Sequence, residues 1–384
     1  MTMNLDYLNL EWNILVIDDS KLNRAIIKKT LSELNMEVDE AIDGIDGLNA
    51  LKNKKYDLIL VDIIMPKLDG FGFLSKFKEI IGNNFIPAIL MTGSDDLNSK
   101  IKGLRIGADD FLLKPLNEKE LTARVLSLLR LKSVHSELYE KNLQIKKELD
   151  IAKRIQQFII PKDFSPIPYP AVSGCYLPIE DIGGDFYDCY SLPNDRYGFL
   201  IADVTGHGIP AALVMSMAKM IFSIYSSRYD SPHRLFESVN EQMSGLLLDT
   251  QYITAFLVFY DSKAKTLHYA NAGHTRALYY RASKKQVHAL DTKGFFIGLS
   301  RDTSYEEKKL PVEPGDKLLL YTDGISEIKN YEGEEFGETR LAKFISEKNS
   351  IRGDAFCKAL LDEVKSFSPL ENRVDDIAFL NIEF

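Results

Sequence analysis

Between residue 13 and about residue 130, short apolar runs alternate with amphipathic helical patterns, five times over. "NILVID", "EVDEAI", "DLILVDI", "PAILMTG" and "DFLLK" read as strands, and the central ones are too continuously apolar to leave a face for water. This alternation predicts an α/β unit, a doubly wound five-stranded parallel sheet whose ligands gather at the carboxyl ends of the strands. The pattern changes at 131. Leu131, Leu138, Ile145, Ala152 and Ile159 recur every seven residues, while Val134, Lys141, Glu148 and Ile155 make a second seam that is only half apolar. The spacing predicts a helix over 131–160, roughly 45 Å long at ~1.5 Å per residue. A coiled-coil linker and an amphipathic helix packed on its own domain both satisfy that pattern. The prolines of "PKDFSPIPYP" end it. Beyond 171, "YGFLIAD", "YITAFLVFY", "TLHYANA", "RALYYRA", "DKLLLYTD" and "IAFLNIEF" read as strands, with helical patterns near 209–227, 232–247 and 352–367. That mixture predicts an α+β domain with antiparallel sheets. The expected divisions are therefore 1–130, 131–160 and 161–384.

Length agrees with more than one core, since 384 residues exceed what a single core usually organises. A net charge of −9 argues against a nucleic-acid partner, because phosphate contacts need a basic face. No run reaches the ~18 apolar residues of a membrane helix, and the start "MTMNLDYLNLEW" lacks the basic-then-apolar plan of a signal peptide. The expectation is a cytoplasmic protein without a membrane partner. Cys175, Cys189 and Cys357 are too scattered for a disulfide framework or a thiolate metal site and read as packing residues.

Chemistry enters at the strand ends. Asp18 and Asp19 follow the first strand, Asp62 ends the third, and Thr92 and Lys114 end the fourth and fifth. A parallel sheet brings all five to one edge. Three carboxylates repel one another unless a hard cation sits among them, and Mg²⁺ takes oxygen ligands. A lysine and a hydroxyl beside them suit the oxygens of a phosphoryl group. An aspartate after a strand is often a turn former, but five fitting residues on successive strands are not explained by turns.

"VIDDS", "DLILVDIIMPKLDG", "MTG" and "DDFLLKP" together resemble the response-regulator receiver domains over roughly residues 13 to 130. The resemblance implies that Asp62 accepts phosphate from a sensor histidine kinase. It further implies that Asp18, Asp19, Asp62 and the Ile64 carbonyl hold Mg²⁺, that Lys114 pairs with the phosphate and is joined to Pro115 by a cis peptide, and that Thr92 and Phe111 form the switch pair.

A second acidic set runs through "IEDIGGDFYD", "IADVTGHG", "LLLYTDGISE" and "RVDDIAFLNI", each with an aspartate at the edge of a strand-like run. Glycine beside three of them lets backbone approach a metal or phosphate closely. Four converging carboxylates would hold two divalent ions, which can activate water for attack on phosphorus. Glycine-aspartate pairs also make ordinary turns, a reading that serves one of these sites but not all four.

With "NAGHTRALYY", "FFIGLS", "GDKLLLYTDG" and "EFGETRL", the segment 170–384 resembles the PPM-type serine/threonine phosphatases of the SpoIIE-like branch, and "ELDIAKRIQQFIIPKDF" resembles the helix that leads into them. The resemblance implies an α-β-β-α sandwich with two Mn²⁺ or Mg²⁺ ions. Asp203 would bridge both metals with the Val204 carbonyl on one, Asp323 and Asp375 (rather than Asp376) would ligate the other, and Asp185 would act directly or through water. His207 would be a supporting group that orients a ligand or a water. The alternative is that His207 or His274 protonates the leaving serine oxygen. The expected function is a phosphatase controlled by Asp62 phosphorylation and acting on a phosphorylated anti-sigma-factor antagonist, as a homodimer through the linker. The competing expectation is a catalytically weak module that sequesters a signalling partner.

Overall fold

The computed structural model describes residues 11–82, 84–93, 97–248, 250–370 and 373–384. Most of the amino-terminal stretch on which the leader reading rests lies outside the described residues. The chain forms two compact units, Met1–Lys146 and Lys147–Phe384.

The first unit runs β1 (Asn13–Ile17), α1 (Lys21–Ser32), β2 (Glu37–Ala41), α2 (Gly44–Asn53), β3 (Leu58–Asp62), α3 (Gly70–Ile81), β4 (Ala88–Thr92), α4 (Leu97–Ile106), β5 (Asp110–Leu113) and the start of α5 (Glu118–Ile159). Its strands are parallel in the order β2-β1-β3-β4-β5. Side chains of β1 alternate between the two faces of the sheet. Ile14 and Val16 join Ile27, Leu31, Leu121 and Val125 in one core, while Leu15 and Ile17 join Phe73, Leu74 and Phe77 in the other. Trp12, the chain's single tryptophan, is buried in the first of these cores. Short polar residues set the helix starts: Ser20 accepts from the Asn23 amide, Asp43 from those of Ile45 and Asp46, and Asp69 from that of Gly72.

α5 joins what the sequence pattern divides. No glycine or proline interrupts residues 118–159, so the last helix of the first unit and the expected linker form one helix, which stops just before Pro161. Its first turns are buried through Leu121, Val125 and Leu129, and beyond them Leu131, Val134, Leu138, Ile145 and Ile155 are all exposed. The seven-residue seam is thus open at Leu131, Leu138 and Ile145 and half-buried at Ala152 and Ile159. Near the far end Gln156 is buried, as is Ile160 just past it.

The second unit follows with β6 (Ala171–Leu177), β7 (Phe186–Leu192), β8 (Arg196–Val204), α6 (Gly208–Ser226), α7 (Pro232–Met243), β9 (Ile253–Asp261), β10 (Thr266–Ala272), β11 (Ala277–Arg281) and β12 (Gln286–Leu290). It finishes with β13 (Lys308–Pro311), β14 (Lys317–Tyr321), α8 (Asp323–Ser326), α9 (Gly337–Glu347), α10 (Gly353–Phe367) and β15 (Ile377–Glu383). Two antiparallel five-stranded sheets, β13-β10-β9-β8-β7 and β12-β11-β14-β15-β6, make the sandwich. Leu200 and Leu257 of one sheet share a core with Leu318 and Leu380 of the other and with Met215, Phe222 and Phe236 of α6 and α7. The outer face of the second sheet, through Leu319, Tyr321 and Phe379, packs on Phe344, Phe356 and Leu360 of α9 and α10. The layers are therefore α-β-β-α.

α6 departs from one expectation. Nineteen residues long, it is apolar enough by length and composition to cross a membrane, because its few serines and one lysine barely dilute the apolar residues. The lysine is Lys219, whose ammonium turns inward to Asp188 of β7 at 2.6 Å.

Candidate functional site

In the first unit the strand ends converge as their spacing requires. One carboxylate oxygen from each of Asp18, Asp19 and Asp62 lies within 4.8 Å of the others. The Lys114 ammonium reaches Asp62 at 2.6 Å and Asp18 at 2.8 Å, and the Lys114–Pro115 bond is cis. Burial pushes the Asp62 carboxyl up, Lys114 pulls it down, and Asp18 adds a smaller upward push. Ile64 follows in the exposed turn after β3. Thr92 and Phe111 line the same small crevice beneath α4, and the Lys114 amide donates to the Thr92 carbonyl at 2.8 Å. Two contributors escape a reading of strand ends alone. The Asn23 amide donates to both Asp18 oxygens, at 3.2 and 3.1 Å, and Arg24 donates to the Asp18 and Asp19 carbonyls. Their signal lay in the first turn of α1, whose N-terminal end faces the acidic pair.

In the second unit the four acidic segments come near enough at one end of the sandwich to act on one another's carboxyls, but among the described residues they do not close into a group as tight as the receiver's. Asp203 lies near the end of β8 opposite Thr254, Asp185 just before β7, Asp323 at the start of α8 after β14, and Asp375 just before β15. The carboxylates press on one another in low-dielectric surroundings. Burial pushes Asp203 up to about 7, with Asp323 adding to it and Asp185 offsetting part through a shared hydrogen bond. Asp323 is pushed up to about 6, again by burial first and Asp375 second. Asp185, fully buried, is raised well above the carboxylate range by burial and by Asp203. Asp185 Oδ2 and Asp323 Oδ1 are buried without a hydrogen-bond partner.

Asp376 behaves differently from its neighbour. Its carboxylate accepts from the amides of Ile179 at 2.8 Å, Gly184 at 2.7 Å and Asp185 at 3.3 Å. The glycines follow from this. A side chain on Gly183 would collide with the Asp376 carboxylate, and one on Gly324 with the Asp376 carbonyl. The close approach expected toward a metal or phosphate is thus, at these two positions, an approach to the protein's own backbone and carboxylate. Gln156 of α5 was also missed: its amide donates to the Gly183 carbonyl at 2.7 Å and accepts from the Gly183 amide at 3.2 Å. A glutamine between Ile155 and Ile159 on a helix that ends in a core was the available sign.

The histidines stand apart. His207, whose side chain is 73% exposed, pairs with Glu180 at 2.9 Å rather than with any of the aspartates. Burial raises the Asp375 carboxyl above its ordinary value, the Asp376 amide draws it down, the Asp376 carboxylate pushes it up, and His207 opposes that rise least of these. His274 bonds to Thr254 at 2.7 Å, and full burial drives it down to about 4, so it is a neutral imidazole at physiological pH.

Comparison with known proteins places this arrangement. The family model for Stage II sporulation protein E (SpoIIE) matches residues 193–384, half of the chain, and that for the response regulator receiver domain matches residues 14–126. The chain belongs to the SpoIIE family and carries a response-regulator receiver domain ahead of its PPM-type phosphatase domain. It is 28% identical over 199 residues to phosphoserine phosphatase RsbU of Bacillus subtilis (strain 168), covering 52% of this chain and 59% of RsbU. It is 39% identical over 117 residues to the probable transcriptional regulator ycf27 of Porphyridium aerugineum, covering 30% of this chain and 48% of that protein. The chain thus spans less than two thirds of the length of these curated relatives. Over 64% of its length the chain is similar in fold to the SiaA-PP2C domain of Pseudomonas aeruginosa, with a TM-score of 0.57 and 24% identity, spanning 98% of that domain. These likenesses support a phosphatase.

Proposed function

We propose that the chain is a two-component response regulator in which phosphorylation of Asp62 controls a metal-dependent serine/threonine phosphatase. One observation carries the metal-dependent part. Two buried carboxylate oxygens, Asp185 Oδ2 and Asp323 Oδ1, have no partner within a set of aspartates that raise one another's pKa. Such a set is unstable as anions and fits divalent cations, Mn²⁺ or Mg²⁺. Asp203, with the Val204 carbonyl beside it, would be shared by two ions, Asp323 and Asp375 would serve one of them, and Asp185 would complete the set. Asp376 is spent on three backbone amides, which supports Asp375 as the ligand of the pair. When bound, the two cations supply the charge that makes water a nucleophile and steadies the phosphoryl oxygens. With His274 neutral and His207 turned to Glu180, neither imidazole is poised as the acid.

In the receiver, Asp18, Asp19, Asp62 and the Ile64 carbonyl would hold Mg²⁺, Lys114 would pair with the phosphate on Asp62, and Thr92 and Phe111 would respond to it. A sensor histidine kinase would supply that phosphate. Likeness to RsbU supports a phosphoserine protein as substrate, and the finer reading is an anti-sigma-factor antagonist. The exposed seam of α5 would pair two copies. The test is p-nitrophenyl phosphate hydrolysis by the full chain with Mn²⁺. Chelator should abolish it reversibly, Asp203→Asn should lower it by at least a hundredfold, and acetyl phosphate should change it in the wild type but not in Asp62→Asn. Near-normal turnover of Asp203→Asn would end the two-metal reading.

A further inference from the structure

Beside the aspartate cluster the second unit carries a cleft of about 950 Å³, bordered by Lys153 of α5, the segment Pro178–Ile182, the start of α6 and Arg373. Three of its lining residues stand close in the chain to the aspartates. His207 lines it and bears on Asp375, Ile182 precedes Asp185 by three residues, and Arg373 precedes Asp375 by two. Its volume is ample for a few residues of peptide.

Each charged side chain lining this cleft faces another titratable side chain, with one exception. Lys153 holds Asp181 at 3.2 Å, and the His207 imidazole lies 2.9 Å from Glu180. Among the described residues Arg373 meets no carboxylate. Its guanidinium donates to the Pro178 carbonyl at 2.6 Å and, at 3.5 Å, to the Leu370 carbonyl, while its Nε is buried without a partner. A guanidinium has five donors in a planar fork suited to an oxyanion. Carbonyl dipoles satisfy part of that fork and neutralise none of its charge. An unpaired cation at the wall of a cleft favours an anionic occupant and repels a cationic one.

We propose that this cleft seats the chain flanking the phosphoserine of the protein substrate, and that Arg373 selects an acidic side chain there. The inference rests on the phosphatase reading and gives the substrate its charge pattern. Arg373 acts on the choice of substrate, whereas the aspartates act on the phosphoryl group itself.

The experiment compares two phosphoserine peptides, alike except that one carries aspartates and the other alanines beside the phosphoserine, hydrolysed by the full chain with Mn²⁺. The readout is the ratio of kcat/KM for the two peptides on one enzyme preparation, in which any loss of folded or metal-loaded protein cancels. The wild type should favour the acidic peptide by about fivefold or more, and less at high salt. Arg373→Met should bring the ratio near one, Arg373→Glu should invert it, and Arg373→Lys, which keeps the charge and loses the fork, should retain part of it. If Arg373 only ties Pro178 to the 370–376 segment, all three variants lose activity on both peptides equally and the ratio stays at its wild-type value, which overturns the proposal. A wild-type ratio near one with good turnover of both peptides overturns it too, while leaving the phosphatase reading intact. Hydrolysis of neither peptide nor of p-nitrophenyl phosphate removes the phosphatase reading and this inference with it.

Discussion

Asp375 accepts from the amide of Asp376 at 2.7 Å, while Asp376 accepts from amides of the Ile179–Asp185 segment, so two adjacent carboxylates carry opposite duties. Removing the Asp376 carboxylate strands buried donors, which costs about 2–4 kcal/mol when several are lost together. Chemical denaturation of the chelator-treated chain should show that loss for Asp376→Ala. Asp375→Asn should stay within about 1 kcal/mol of wild type and instead lose Mn²⁺-dependent turnover. An exchange of these two outcomes would reverse the assignment. The raised carboxyls also predict a dependence on pH. Asp203 at about 7 and Asp323 at about 6 keep protons in the folded chain that the unfolded chain releases near 3.8. The folded state therefore binds more protons, and without metal its stability falls as pH rises through that range. His274, lowered from 6.5 to about 4, acts with the opposite sign, but only below about pH 6.5. Between pH 6.5 and 8 the aspartates are left in control. The melting midpoint of the metal-free chain should fall across that window, and Mn²⁺ at pH 8 should restore it. A flat profile would mean that the carboxyls do not share a site.

At the scale of elements, the strands that the hydrophobic pattern reveals in the second unit are the inner ones. β8, β9, β10, β11, β14 and β15 carry long apolar runs because each lies between two strands of its sheet. β6, β7, β12 and β13 went unread, and all four are sheet edges. "QVHAL" and "KKLP" turn mostly polar residues to solvent, as edges that must not recruit further strands do. In the receiver even β2, an edge, was legible, because helices on either side of it punctuate the pattern. The aspartates were legible as well, since each stands at the edge of a strand-like run. Gln156, Asn23 and Arg373 were not, because their roles depend on contacts between segments far apart in the chain or on the turn of a helix. The seam on α5 is the element whose meaning the single chain leaves to experiment. Leu138→Lys with Ile145→Lys places two charges on exposed positions, so folding and basal hydrolysis should survive. Dimerisation, measured by light scattering, and the response to acetyl phosphate should vanish together. A variant that stays dimeric and responds fully would rule out relay through this helix.

For the whole molecule, the division into two units means that each has its own core and its own chemistry, and that stability measured on the chain is not one number. Trp12 makes the difference observable. The only indole in the chain is buried in the core that α1 and α5 build on the receiver sheet, and the tyrosines and phenylalanines of the second unit barely emit when excitation is set at the red edge of the band. Emission excited there is a private signal of the first unit, while circular dichroism sums over both. Added Mn²⁺ should raise both melts in the wild type, since each unit has carboxylates for a cation, whereas in Asp203→Asn the emission melt should keep its shift and the dichroism of the second unit should lose its own. The protein carries its own optical label, in place before any dye is attached.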